Sequence, residues 1–210
     1  LQVWNAIRKT DEGYGAFLPH RHHQEQFEGK GYVQPYADNP LDRETVGENV
    51  YLNIINASVH YVYMYTPYLI IDNEMITALC LAAKRGVDVR IVTPAIPDKK
   101  AVFLLTQSYY SQLVEAGIQI YQFTPGFIHA KCFLCDDKIA TVGTINMDFR
   151  SLYLHFENGV FMYKSQAVMQ LKEDMLRTFE KSQHITKQLC EGSLPKRLAQ
   201  SILRLLAPLL

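Results

Sequence analysis

One stretch constrains the fold of this chain more than any other. Between Phe127 and Arg150, two short apolar runs, Cys132 to Cys135 and Ile139 to Val142, flank Asp136, Asp137 and Lys138. Short buried runs around a polar turn read as a β-hairpin. Alternate residues of a strand share a face, so His129 and Lys131 point the same way, roughly 6.5–7 Å apart along the chain. Gly143 ends the second strand and lets the backbone turn tightly. Asn146 then swings back toward the same spot. An imidazole, an ammonium and a carboxamide converging on one point suit the anionic group of a phosphoester.

The residue types fit that chemistry. A phosphodiester is already negative, and more charge develops on its oxygens during attack. Lys131 supplies compact positive charge, and Asn146 supplies amide donors for those oxygens. With an unperturbed pKa near 6.5, His129 can be a nucleophile or a proton donor near neutral pH. Lone histidines are usually structural; Lys131 and Asn146 at these spacings set His129 apart. Lys131 sits in an apolar run, where an ammonium without an anionic ligand is costly. Glu157, within Phe156-Glu-Asn158, is a candidate to fix the tautomer of His129. Asp136, at the hairpin end, either braces the turn or takes part in proton transfer, and bracing is the preferred role. Thr144 adds a hydroxyl donor or packs. Arg150 is either a headgroup contact or half of a structural ion pair. No metal or cofactor is required if lysine supplies the charge.

The rest of the chain alternates helix and strand patterns. Residues 1–40 are rich in Gly and Pro and read as irregular, with Trp4 to Ile7 as the tail of a helix. Asp42 is expected to cap a helix whose apolar face carries Val46, Val50, Ile54 and Ala57. Val59 to Tyr65 follows as a strand ending at Thr66-Pro67. Tyr68 emerges at its carboxyl end, where open α/β sheets gather ligands, so it is read as a pocket wall or as core packing. Asp72 caps a helix from Asn73 to Arg85, which Gly86 stops. Val87 to Thr93 is a strand, Ala101 to Ala116 one helix, and Ile118 to Phe123 a strand. Beyond the hairpin come a strand from Val160 to Tyr163 and a helix capped by Ser165, with Val168, Leu171, Met175 and Phe179 on one face. The alternation predicts an α/β fold: a mixed, mostly parallel β-sheet flanked by helices on both faces.

Composition narrows the class. The 210 residues are 48% hydrophobic, with 21 Lys plus Arg against 21 Asp plus Glu. That suits a globular core, and a neutral chain argues against a nucleic-acid partner, whose phosphates favour a basic surface. No run approaches the length of a membrane-spanning helix. Cys132 and Cys135 have metal-like spacing, but an offset of three puts them on opposite faces of a strand, so they read as small buried hydrophobes. Nothing suggests a disulfide framework, which points to a reducing compartment. His20-Arg-His-His23 reads as an exposed loop, with anionic headgroups or a metal as the other reading. From Leu194 to Leu210, Lys196, Arg197 and Arg204 accompany a wide apolar face. Such a helix either packs on the protein or lies in a lipid interface.

The spacing His129-x-Lys131, four residues, Asp136, six residues, Gly143-Thr144-x-Asn146 resembles the HKD signature of the phospholipase D superfamily. Thr144 stands where the superfamily often has Ser. Thr66-Pro-Tyr68, Gly86 to Arg90, Pro125 to Lys131 and Asn146 to Ser151 resemble the carboxyl-terminal half of bacterial cardiolipin synthases. The resemblance implies a phospholipase D-like fold. It also implies transfer of a phosphatidyl group between two phosphatidylglycerol molecules through a phosphohistidine, with release of glycerol. His129 then leans toward the acid–base role, with a downstream carboxylate, Glu157, serving it. Two-motif members face two such motifs around one pocket, and one is found here. The expectation is the second half of a longer enzyme, with residues 1–40 as linker, 41–192 as the catalytic domain and 193–210 as an amphipathic helix. A second copy completing the site by dimerisation is the alternative. The implied place of action is the cytoplasmic face of a bacterial membrane, with the membrane surface as a partner. A phospholipase D, a phosphatidylserine synthase, a nuclease or a non-catalytic lipid-binding fragment are the other readings.

Overall fold

The computed structural model describes residues 1–18, 29–190 and 192–207. The His20 to His23 cluster lies outside them. Two units separate at Lys30 and Gly31. In the first, helix α1 (Gln2–Arg8) ends on Lys9 in the left-handed conformation. Asn5 Oδ1 accepts from the Thr10 hydroxyl and the Glu12 N–H, and the Trp4 indole donates to Glu12 Oε1 at 2.9 Å.

The second unit is built on a mixed sheet. In chain order its elements are β1 (Tyr32–Asp38), α2 (Val46–Ala57), β2 (Tyr61–Tyr65), β3 (Leu69–Ile70), α3 (Asn73–Lys84), β4 (Asp88–Pro94), α4 (Lys100–Ser108), α5 (Tyr110–Glu115), β5 (Gln119–Phe123) and β6 (Cys132–Cys135). Then follow β7 (Ile139–Gly143), β8 (Met147–Asp148), α6 (Phe149–Tyr153), β9 (Glu157–Tyr163), α7 (Gln166–Glu180), β10 (Ser182–Ile185), α8 (Lys187–Cys190) and α9 (Leu194–Leu205). The main sheet runs β1-β9-β7-β6-β2-β4-β5-β10, and β3 pairs with β8 in a separate parallel ladder.

The mixed α/β class agrees with the sequence pattern, but parallel pairs do not dominate. In the main sheet only β2–β4 and β4–β5 are parallel, while the five other pairings are antiparallel. Parallel neighbours need a crossover, which α3 supplies between β2 and β4, and α4 with α5 between β4 and β5. The hairpin and its neighbours use shorter connections.

Helices cover both faces. Tyr51, Ile54 and Ile55 of α2, Met75 and Leu79 of α3, Leu105 of α4 and Leu113 of α5 pack with Val62, Met64, Ile91, Phe133 and Cys135. On the other face Val168, Met175 and Phe179 of α7 meet Tyr63, Tyr65, Val92, Cys132 and Leu134. Successive strand residues thus fall in opposite clusters, and Cys132 and Cys135 do lie on opposite faces, buried and unpaired.

Several local expectations change. Residues 32–38 are not irregular: β1 is an edge strand on β9, and Pro35 is tolerated because an edge has one unpaired side. Asp42 does not cap α2. Its carboxylate accepts from the Glu44 N–H, while the N–H of Gly47 is taken by Asp38 Oδ2 at 2.7 Å. The cap thus comes from a strand end, nine residues away. Ser165 occupies the N-cap of α7, yet its hydroxyl is buried without a partner among the described residues. The single helix expected from 101 to 116 divides at Tyr109, whose N–H bonds the Thr106 carbonyl three residues back and tightens that turn. Asp72 does cap α3, accepting from the Met75 N–H at 2.9 Å.

Candidate active site

The hairpin holds the first part of the site. β6 begins at Cys132, so His129 and Lys131 lie on the approach to the strand rather than within it. Lys131 is fixed there because its carbonyl accepts from the Gly143 N–H at 3.1 Å. A side chain at Gly143 would strike the Asn158 carbonyl and the Gly159 backbone. Close approach of β9, not an unusual turn, therefore requires the glycine. Lys131 is only 8% exposed, whereas His129 is exposed. The ammonium donates to the His129 carbonyl at 2.6 Å and lies 3.0 Å from Nδ1 of the same residue. Nδ1 is thereby an acceptor for Lys131. The imidazole stands between Phe127, stacked at 5.7 Å, and Tyr68, edge-on at 6.4 Å.

Electrostatics follow from that contact. Burial, then the Lys131 charge, pushes the His129 pKa down from its ordinary value, and Asp98 opposes them. Burial also lowers the Lys131 pKa, opposed by the charges of Glu157 and Asp148. Both carboxylates therefore act on the ammonium, although among the described residues neither forms a salt bridge with it.

The second part is the loop after β7. Thr144 donates its hydroxyl to Glu157, and Ser151 donates to the other Glu157 oxygen at 2.5 Å. Ser151 also accepts from the Asn146 N–H at 2.9 Å, and its own N–H bonds Asp148 Oδ1. Asp148 is buried, which raises its pKa; the Ser151 N–H and the Asn146 amide oppose that. The loop is tied to its surroundings at three points. The Tyr51 hydroxyl donates to the Ile145 carbonyl at 2.7 Å, and the Tyr51 ring stacks on Phe133 at 4.0 Å. The Met147 N–H donates to the Thr66 hydroxyl, which donates to the Tyr68 carbonyl at 2.7 Å. The β3–β8 ladder adds Leu69 against Met147. Asn146 Oδ1 is buried without a hydrogen-bond partner among the described residues. An acceptor so placed is costly unless a ligand or water meets it.

The residues singled out in the sequence thus divide. His129, Lys131 and Tyr68 are neighbours. Thr144, Asn146 and Glu157 form one bonded network through Ser151. Glu157 makes no bond to His129, whose Nδ1 is held by Lys131 instead. Asp136 is elsewhere: the four residues of β6, roughly 13 Å of strand, separate it from Lys131. It accepts from the N–H groups of Val59, His60 and Tyr61 at 2.7, 2.9 and 2.8 Å, so it braces the hairpin end, away from His129 and Lys131. Arg150 is exposed on α6. Three residues escaped the sequence reading. Ser151 and Asp148 stand within Asn146 to Ser151, where their types alone carry no signal. Asp98, which accepts the Tyr68 hydroxyl at 2.5 Å, follows Pro97 in a loop that reads only as an interruption.

Residues 51–179 match the family described as cardiolipin synthase, PLD-like domain. The chain is 47% identical to an uncharacterized protein of Streptococcus mutans over its whole length, covering 45% of that protein. It is 38% identical to a cardiolipin synthase of Geobacillus kaustophilus over 87% of its length, covering 37% of the enzyme. The chain therefore spans less than half the length of these curated relatives. In fold it is similar to Nuc of Salmonella typhimurium, a phospholipase D family member, with a TM-score of 0.63 at 18% identity, covering 75% of this chain and 99% of Nuc.

Proposed function

The chain belongs to the PLD-like domain family of cardiolipin synthases, and from that premise we propose that it is one catalytic half of a phosphatidyltransferase. The reaction is transfer of a phosphatidyl group from one phosphatidylglycerol to the hydroxyl of a second, releasing glycerol. The remainder of a protein as long as the relatives supplies the opposing half, with a second motif and the histidine that attacks phosphorus.

The observation that carries this reading is the isolation of Lys131. Lys131 is nearly buried, and among the described residues its ammonium bonds His129 alone and has no carboxylate in salt-bridge reach. A desolvated cation so placed calls for an anion, and the exposed imidazole beside it marks where that anion reacts. The orphaned Asn146 Oδ1 belongs to the same region, and a flipped amide would present its N–H donors instead.

The acid–base work follows. When the opposing histidine attacks phosphorus, the bond to the glycerol oxygen breaks and that oxygen needs a proton. His129 gives it. His129 then removes the proton from the incoming hydroxyl, whose oxygen displaces the phosphohistidine, and the ring is restored. Lys131 makes the imidazolium a readier donor by lowering its pKa. Arrival of the phosphodiester offsets the lysine charge and raises the pKa again, so His129 gains its proton as substrate binds.

In the longer protein, His129→Ala should lower cardiolipin formation from labelled phosphatidylglycerol by at least ~10²-fold. Near-wild-type turnover would remove His129 from the mechanism. Phosphatidic acid as the main product would make water the acceptor and the protein a phospholipase D.

A further inference from the structure

Asp98 is a charged group that the acid–base chemistry leaves unused. It stands exposed in the loop between β4 and α4. Its Oδ1 accepts from the Lys99 N–H at 2.6 Å, and its Oδ2 accepts from the Tyr68 hydroxyl at 2.5 Å. Among the described residues it has no salt-bridge partner. Tyr68 is held in place through its backbone. Its carbonyl accepts from the Thr66 hydroxyl, and the N–H of the next residue, Leu69, donates to the Thr106 hydroxyl of α4 at 3.2 Å. The Tyr68 ring stands edge-on to His129, with 6.4 Å between ring centres. The Asp98 charge reaches the imidazole and favours its protonated form. His129 therefore has a cation at Nδ1 and a phenol–carboxylate pair beside its ring.

These two neighbours suit different parts of one molecule. The ammonium suits a phosphodiester, and the carboxylate repels one. An ionised carboxylate only accepts hydrogen bonds. A phenol that has given its proton to that carboxylate has only acceptor capacity left. The pair thus offers a ligand two adjacent acceptors, Tyr68 Oη and Asp98 Oδ2, and no donor. Hydroxyls on neighbouring carbons are the matching donors. We propose that Tyr68 and Asp98 bind the vicinal diol of a glycerol headgroup, and that Asp98 makes the site select a diol-bearing phosphodiester over the ester of a simple alcohol. The inference rests on the lipid-substrate reading and narrows it to a residue that chooses the headgroup. With both free hydroxyls held there, the ester oxygen on the third carbon is turned toward His129, which protonates it. An analogue lacking the hydroxyls leaves the acceptors unmatched and is rejected on that account.

The test is consumption of two donor lipids by the longer protein: phosphatidylglycerol, and phosphatidyl-1-propanol, which lacks both free hydroxyls. Wild type should favour phosphatidylglycerol by at least ~10-fold in kcat/KM. Asp98→Ala should bring that ratio to within ~3-fold of unity, and Tyr68→Phe should move it the same way. A merely structural role would slow both lipids alike and leave the ratio unchanged. As a second readout, Asp98→Asn in this chain should lower the pKa of the His129 imidazole in an NMR titration. A wild-type ratio near one, an unchanged ratio in Asp98→Ala or an unmoved imidazole pKa would overturn the proposal. Phosphatidylethanolamine consumed faster than phosphatidylglycerol by wild type, but not by Asp98→Ala, would assign the pair to an ammonium and overturn the diol. Consumption is scored as lipid lost, whatever the product. Phosphatidic acid formed in place of cardiolipin would therefore sink the transferase reading, while the ratio judges the headgroup proposal by itself.

Discussion

Lys131 is within hydrogen-bond reach of two atoms of one neighbour, and that neighbour is the residue whose titration matters. Among groups that lower the proton affinity of His129, the lysine charge comes second only to burial. Replacing it by an uncharged chain, Lys131→Met, should therefore raise the His129 pKa, and an NMR titration of the imidazole would follow the change. An unchanged or lower value would contradict the electrostatic account. The same variant should lose activity, because the cation meant for the phosphate is gone. The pairing of His129 with Lys131 was legible from their spacing alone. The partner of Glu157 was not. Sequence distance from His129 carries no information about which side chain a strand-end carboxylate faces, and it faces Thr144 and Ser151.

Asp136 and Asp137 make the hairpin turn in left-handed conformations, at φ of 50° and 57°. The first of them also clasps the start of β2 through three backbone N–H groups. Burial pushes the Asp136 carboxyl up, but those three donors more than offset it, and the pKa lies below the ordinary value. A lowered carboxylate pKa stabilises the fold above the unfolded value of about 3.9, and that contribution is lost as pH falls through the folded pKa. Asp136→Asn, which tolerates the left-handed backbone, should flatten the acid limb of stability against pH in urea unfolding. Asp136→Ala should cost about 2–3 kcal/mol at neutral pH, for lost hydrogen bonds to a charged acceptor. Equal acid limbs in wild type and Asp136→Asn would refute the clasp. The hairpin, α3 and β4 were legible because burial leaves a periodic apolar signature in each. β1 was not. Its first four residues are exposed and one is Pro35, so only the tertiary pairing with β9 makes it a strand. Strand direction was also hidden, because alternation of side chains is the same in parallel and antiparallel ladders.

The whole domain reads as a sheet covered by helices on both faces, with an exposed imidazole held by Lys131 and a separate bonded network around Glu157 in the loop after β7. Its relatives are more than twice as long. That difference, together with one motif in this chain, motivates the two-half account. The superfamily could be recognised from six residues at fixed spacing, because chemistry restricts them more tightly than packing restricts a core, while the α/β class came from the alternation of helix and strand patterns. The outward apolar side of α9, where Leu198, Ile202 and Leu205 are exposed, could not be recognised, since periodicity reveals that a helix has an apolar side but not which way it turns. The account depends most on the site being incomplete in this chain alone. Cardiolipin formation from radiolabelled phosphatidylglycerol should be measured for this chain alone and after mixing with the upstream half of its longer protein. The account predicts no synthesis by the chain alone and synthesis on mixing. Robust synthesis by the monomeric chain alone would contradict it.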